Sequence, residues 1–443
     1  MTKPKFDSSL ALDSLKDFQR RTVDYVSNRF YGRGHTDRFL VADEVGLGKT
    51  MVARGIIARM LERSLGKGDR IDIVYVCSNA TIARQNREKL NVLKGHTFAQ
   101  CDRITMLPAM ASQLSRNVNF LSVTPGTTFR HSQNLGTSRE RALIYKMLRQ
   151  DFSGFGQGFL NMLQGAVRTR ERWKSLVQPD GVRLDRNISA QFRSEVNKSR
   201  RLRGRLERCC EKFRTYRPMD KITLEDSGLR AELVGELRTL LARVCMSSLS
   251  PKLVILDEFQ RFKDLLSSDH EAGGLANLLF KDPDSRILLL SATPYKMLTV
   301  EQDVEEDHYK DFTQTLEFLF GKDKKGDLDA VKTDIQIFRK GLMRSTEDVG
   351  EEAKNAKDRL QARLLKVMCR TERVARSKNR DAMLKENACK TDFKTEDLAQ
   401  ARLASIADAP NMIEYWKSAP YLLNFMKKYQ LRKRLDSSKT SPE

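Results

Sequence analysis

No two cysteines in this chain stand in a C-x-x-C spacing, and the seven present (Cys77, Cys101, Cys209, Cys210, Cys245, Cys369 and Cys389) are odd in number. That pattern argues against both a zinc knuckle and a disulfide framework, so the cysteines read as reduced thiols. The five histidines are scattered, with no helical pair and no Cys/His cluster of the kind that cages a metal. Long apolar runs are also missing. No stretch approaches the ~18 residues of a spanning helix, and nothing near Met1 resembles an apolar signal core followed by a cleavage site. Internal repeats and extended low-complexity tracts are absent too. Together these absences predict a soluble, cytoplasmic protein.

What the chain has in excess is positive charge. Its 443 residues carry a formal net charge of +22, with a pI near 9.7. The length suits two or three domains of roughly 150 residues each, and a surface so basic attracts polyanions, nucleic acid first among them. Over half of the excess falls between Ser138 and Arg217, where sixteen Arg and four Lys face eight acidic residues. Phe152, Gly154, Phe155, Gly156, Gly158 and Phe159 open this segment and read as a flexible bend. Arg200, Arg201, Arg203, Arg205 and Arg208 follow as a basic helix. Arginine in such excess over lysine favours bidentate contact with phosphate. A solvated helical face with no ligand is the plainer alternative.

One octet carries more chemistry than any other. Residues 43 to 50 read Asp43-Glu44-Val45-Gly46-Leu47-Gly48-Lys49-Thr50. A run closing in Gly-Lys-Thr lets backbone N–H groups face a triphosphate, sets the Lys49 ammonium against the β and γ oxygens, and offers the Thr50 hydroxyl to Mg²⁺. The apolar run Phe39-Leu40-Val41-Ala42 precedes it as a buried strand, and Val52, Ile56 and Met60 recur behind it at helical spacing. ATP with Mg²⁺ is the expected ligand. The strict pattern G-x-x-x-x-G-K-[ST] fails at its first position, where Asp43 stands.

Further short apolar runs lie at Ile71 to Val76, Arg103 to Leu107, Val118 to Val123, Leu253 to Leu256 and Arg286 to Leu290. Rich in Val, Ile and Leu without clean alternation, they read as parallel strands covered on both faces, and helical stretches separate most of them. The expected architecture is α/β, a doubly wound parallel sheet. The run 253–256 ends in Asp257-Glu258, placing a metal-binding carboxylate, Asp257, beside a residue able to orient and deprotonate water, Glu258. Ser291-Ala292-Thr293 follows the run 286–290, where hydroxyls at a strand tip could link the carboxylates to bound substrate. Downstream, Leu360, Leu364, Val367 and Met368 supply the apolar stripe of a helical stretch from Asp358 to Arg376.

Together these runs resemble the first motor domain of superfamily 2 helicases and translocases, and the variant loop looks most like the Snf2 and RapA branch. The resemblance covers roughly residues 12 to 129 and 250 to 300, and more loosely the helical part to about 376. It implies a RecA-like P-loop fold, ATP hydrolysis and double-stranded DNA as partner, and makes Asp43 a family mark. It gives Gln19, in Leu15-Lys16-Asp17-Phe18-Gln19, the reading of adenine. It also assigns nucleic-acid backbone contacts to Asn79 and Thr127, and likens Val367 to Arg373 to the basic element before a second motor domain. The implied division is 1–130 and 249–330 for two parts of an ATP-binding lobe, 131–248 for a basic, mainly helical insertion, and 331–443 for a helical extension leading toward a second RecA-like lobe.

That second lobe should supply arginines to the transferring γ-phosphoryl group, yet Gly-Arg occurs only at Gly32-Arg33 and Gly204-Arg205, neither in a suitable position. Three expectations follow: a split motor completed by another polypeptide, a truncated or interrupted gene product, or an ATP-switched nucleic-acid-binding or assembly subunit with little turnover.

Overall fold

The computed structural model describes residues 6–65, 70–93, 103–110, 118–128, 135–165, 167, 169–178, 183–215, 222–266, 271–292, 305–321, 325–343 and 350–371. Within them one all-parallel sheet of six strands forms, with helices around it: β1 (Arg38–Val41), β2 (Ile71–Cys77), β3 (Val118–Val123), β4 (Pro251–Asp257), β5 (Arg286–Leu290) and β6 (Met368–Cys369). The spatial order is β3-β2-β4-β5-β1-β6, with every neighbouring pair parallel. Strand β5 therefore separates β1 from β4, and the three end side by side.

Alternate residues of each strand feed two cores. Phe39, Val41, Ile73, Tyr75, Ile255 and Leu288 bury against one cluster, which includes Val23, Val26, Val52, Ile56 and Met60. Leu40, Val74, Val76, Val254, Leu256 and Leu289 bury against the other. A strand apolar on both sides shows no period-2 alternation, which is why these runs read as continuous. The helices Asp17–Tyr31, Lys49–Ser64 and Ala80–Leu90 accompany the first face. The second face shares its core with the helices of the basic segment: Ser138–Leu148, Gly156–Gln164, Arg170–Val177, Arg186–Lys198, Arg200–Phe213 and Leu224–Ser247. Trp173, Phe192, Leu206 and Phe213 of those helices lie in the same cluster as Leu40 and Val254.

Three expectations need correction. Residues 104–106 form a 3₁₀ turn that runs into the helix Leu107–Met110, and no strand. Pro108 lacks the N–H that an interior strand needs but sits without penalty in a first helical turn. The Phe152–Phe159 stretch is no flexible bend. It is a 3₁₀ turn, Ser153–Phe155, leading into a helix, with Phe152 and Phe159 stacked 4.9 Å apart and both buried. Gly158 is there for closeness, since a Cβ on it would lie 2.0 Å from the Cys210 carbonyl oxygen.

The stretch from Asp358 is helical only to Leu364. The carbonyls just past its end are taken by side chains, Leu365 O accepting from the Tyr25 hydroxyl at 2.7 Å and Lys366 O from Arg29 Nε at 3.0 Å. Met368 and Cys369 then pair with β1, whose backbone groups need partners on that side: Leu40 N–H donates to Val367 O and Ala42 N–H to Cys369 O. Residues 372 and 373, and everything after them, lie outside the described residues. No helix among the described residues is long and apolar enough to cross a membrane.

Candidate functional site

The octet 43–50 leaves the carboxyl end of β1 and ends inside the helix Lys49–Ser64. Gly46 and Gly48 take φ of 83° and 82°, the left-handed region that glycine enters without strain. A Cβ at Gly48 would also meet Gln19 Nε2 at 2.5 Å, so that side-chain amide would have to shift. The first N–H groups of a helix have no intrahelical acceptor, so the loop presents donors and the positive end of a helix to any anion above it. Val45 is exposed, while Glu44, Leu47 and Thr50 are partly so.

Lys49 is buried. Its Nζ donates to Asp43 O at 3.2 Å and lies 3.9 Å from Glu258 Oε1. The glycine loop and the acidic tip of β4 thus meet across β5. Glu258 is the one non-glycine residue of positive φ, at 54°, recorded among the described residues. Such a conformation costs on the order of 1–3 kcal/mol and persists where surrounding contacts over-determine it. Here Gln260 Nε2 donates to Glu258 Oε2, and Lys49 stands on the other carboxylate oxygen.

Asp257 is buried beside it. Burial pushes its carboxyl above the usual range and the charge of Glu258 adds to this, while the Tyr75 hydrogen bond and the Lys49 charge act against it. The Tyr75 hydroxyl donates to Asp257 Oδ2, and Asn86 Nδ2 reaches both the Tyr75 oxygen, at 2.8 Å, and Asp257 Oδ2, at 3.3 Å. Neither Tyr75 nor Asn86 was singled out in the sequence. Tyr75 sits inside a mostly apolar strand, and no sequence signal ties it to an aspartate 182 positions away.

Ser291 is fully buried at the end of β5, its N–H donating to Val41 O at 3.1 Å, and Ala292 follows, also buried. This puts the first two of the three expected coupling residues beside the loop's entry; Thr293 lies outside the described residues. Gln19 is buried against the loop with both amide atoms engaged: Nε2 donates to Leu47 O at 2.8 Å and Oε1 accepts from Lys16 N–H at 3.0 Å. It braces the glycine turn, and each amide atom keeps a second N–H or lone pair that these bonds do not use.

Asp43 shows why glycine is not needed at the loop's first position. Its Oδ1 accepts the Thr371 N–H at 2.7 Å and Glu44 N–H donates to Thr371 O at 3.3 Å, so the loop entry is tied to the segment that carries β6. Asn79 is exposed and caps the helix Ala80–Leu90, its Oδ1 accepting from Thr81 N–H at 2.8 Å and Ile82 N–H at 3.4 Å. Thr127 lies in the short helix Pro125–Thr128, with its side chain outside the described residues.

No family model matches this chain, and no curated protein matches its sequence.

Among the described residues no three His, Cys, Asp or Glu converge in a metal-holding cluster. Mg²⁺, which keeps waters and takes one or two carboxylates plus substrate phosphates, asks for no such cage. Asp257 and Thr50 fit that requirement.

Proposed function

We propose that this chain is the ATP-binding and hydrolysing lobe of a Snf2-like DNA helicase or translocase, built on a RecA-like sheet. The observation that carries the reading is the 3.9 Å approach of Lys49 Nζ to Glu258 Oε1, between a left-handed Gly48 turn and a carboxylate pair at the ends of parallel strands. Ligands of open parallel sheets bind outside the carboxyl ends of the strands. A triphosphate entering there would displace the Lys49–Glu258 contact, Lys49 turning to the β and γ oxygens while the loop N–H groups hold the phosphates. Glu258, freed from Lys49, orients the attacking water and takes its proton. Asp257 and Thr50 would hold Mg²⁺, which when bound neutralises charge developing on the phosphoryl oxygens.

Completion by a second lobe, from another polypeptide or a longer chain, belongs to this proposal. Arg205, one of the two Gly-Arg arginines, is spent on Glu236 and Glu232 of the helix Leu224–Ser247 and does not serve as an in-chain finger. The exposed Arg200, Arg201 and Arg208 of the basic segment favour a second reading, a nucleic-acid-binding subunit whose nucleotide site switches it with little turnover.

The deciding experiment measures ATP hydrolysis without nucleic acid and with duplex DNA, single-stranded DNA or RNA, for the chain alone and with a supplied second lobe. Duplex-stimulated turnover that vanishes in Lys49→Ala and Glu258→Gln is the expected result. Turnover unchanged in both variants would eliminate the motor. Salt-sensitive DNA binding that persists in Lys49→Ala without turnover would select the switch.

A further inference from the structure

The hydroxyl of Tyr75 is buried in the mostly apolar strand β2 and turns to the carboxylate of Asp257. Tyr75 and Asp257 lie on the same face of the sheet: β2 and β4 pair in parallel with Tyr75 opposite Ile255 and Cys77 opposite Asp257, so the two are diagonal neighbours. From there the phenol reaches Asp257 Oδ2, and Asn86, from the helix Ala80–Leu90 packed on that face, donates to both atoms. All three residues are less than one-tenth exposed. Two side-chain donors from different elements thus converge on a single carboxylate oxygen, which fixes the torsion and plane of the group. A carboxylate that gives one oxygen to a metal is held in place by donors on its other oxygen, and loss of such outer partners typically weakens metal binding about 10–100-fold.

We infer that Tyr75 and Asn86 are positioning residues that hold the Asp257 carboxylate in its metal-binding orientation, so that the Mg²⁺ affinity of the nucleotide site is set by a contact between β2 and the helix Ala80–Leu90. The inference rests on the nucleotide-site reading above. It adds two residues that touch neither nucleotide nor metal and act only through Asp257. Burial and the adjacent Asp257 charge both raise the Tyr75 phenol, which keeps it a donor.

Tyr75→Phe is a clean probe, because the ring stacks on Phe120 with centroids 6.0 Å apart and the substitution removes the hydroxyl alone. Asn86→Ala removes the second donor from the helix side and leaves Tyr75 in place, giving an independent variant should the first fold poorly. The full chain is titrated with a fluorescent ATP analogue, first in EDTA and then at rising Mg²⁺. Wild type, Tyr75→Phe and Asn86→Ala should bind the analogue alike in EDTA, while the Mg²⁺ concentration that half-maximally strengthens binding rises about 10–100-fold in either variant. Asp257→Asn should show no Mg²⁺ response at all.

Equal Mg²⁺ titrations for wild type and whichever of the two variants folds, with nucleotide binding intact, would overturn the positioning role and leave the nucleotide site standing. A wild-type chain that binds no analogue in either condition would instead overturn the nucleotide site, and this inference with it.

Discussion

Asp43 and Gly48 sit five residues apart in one loop and are constrained by opposite requirements. Asp43 needs its carboxylate, because Oδ1 holds the Thr371 N–H at 2.7 Å. Gly48 needs to have no side chain, because its φ is 82° and Gln19 Nε2 fills the space a Cβ would take. Asp43→Gly restores the strict phosphate-loop pattern but removes a hydrogen bond to a charged acceptor, worth ~1.5–3 kcal/mol. We expect lower thermal stability and faster amide exchange at Thr371, with both unchanged if the carboxylate is idle. For Gly48→Ala the left-handed backbone costs about 1–2 kcal/mol, and the displaced Gln19 amide adds to that. A double-mutant cycle with Gln19→Ala reads the steric part. Coupling that recovers none of the loss would show that Gln19 does not crowd Gly48.

Between elements, a fully buried tie is centred on Glu140, in the first helix of the basic segment. Arg238 Nη2 pairs with its Oε1 at 3.1 Å, Arg103 Nη1 with its Oε2 at 3.2 Å, and the Thr105 hydroxyl donates to it at 2.7 Å. Burial alone would raise this carboxyl; the Thr137 N–H, the Arg238 charge, the Thr105 hydroxyl and the Arg103 charge outweigh it and hold the group below its ordinary value of 4.5. A depressed folded-state value means that the linked stability is present above pH 4.5 and is lost as pH falls through the lower folded-state value. Urea unfolding across that acid window should show stability falling with pH in wild type and a flatter profile in Glu140→Gln. Arg238→Met, which leaves the buried carboxylate short of a partner, should cost about 3–5 kcal/mol at neutral pH. A loss below 1 kcal/mol would mean that Arg103, Thr105 and the Thr137 N–H together suffice.

Over the whole molecule, the net charge of +22 overstates what the described surface can offer a polyanion. Several arginines of the basic segment are already engaged within the fold. Arg193 pairs with Asp151, Arg205 with Glu232 and Glu236, and Arg141 is buried with its guanidinium on the carbonyls of Leu135, Gly136, Leu163 and Gln164. Arg200, Arg201 and Arg208 are exposed. If that helix meets phosphates, replacing these three by alanine should flatten the log–log salt dependence of duplex binding by roughly one unit per lost contact. Arg205→Ala should lower stability and leave the slope alone. An unaltered slope in the triple variant would place any duplex contact elsewhere.

Much of the site was legible in the chain. The Gly-Lys-Thr ending, the apolar runs 39–42 and 253–256 and the carboxylates after them are local patterns, and local sterics and hydrophobic burial fix strands, a left-handed turn and a helix start wherever such patterns occur. The misread stretches are those whose conformation answers to distant partners. Residues 104–106 turn because Thr105 and Arg103 go to Glu140, and Val367 to Cys369 extend because β1 has backbone groups to satisfy. Tyr75 and Asn86 were invisible for the same reason, since their roles exist only once β2, β4 and the helix Ala80–Leu90 lie together. The sequence alone determined which residues form the glycine turn after β1 and which carry charge. Only tertiary structure decided which of them meet and which arginines are already taken, because hydrogen bonds and ion pairs are set by distance in space and not along the chain.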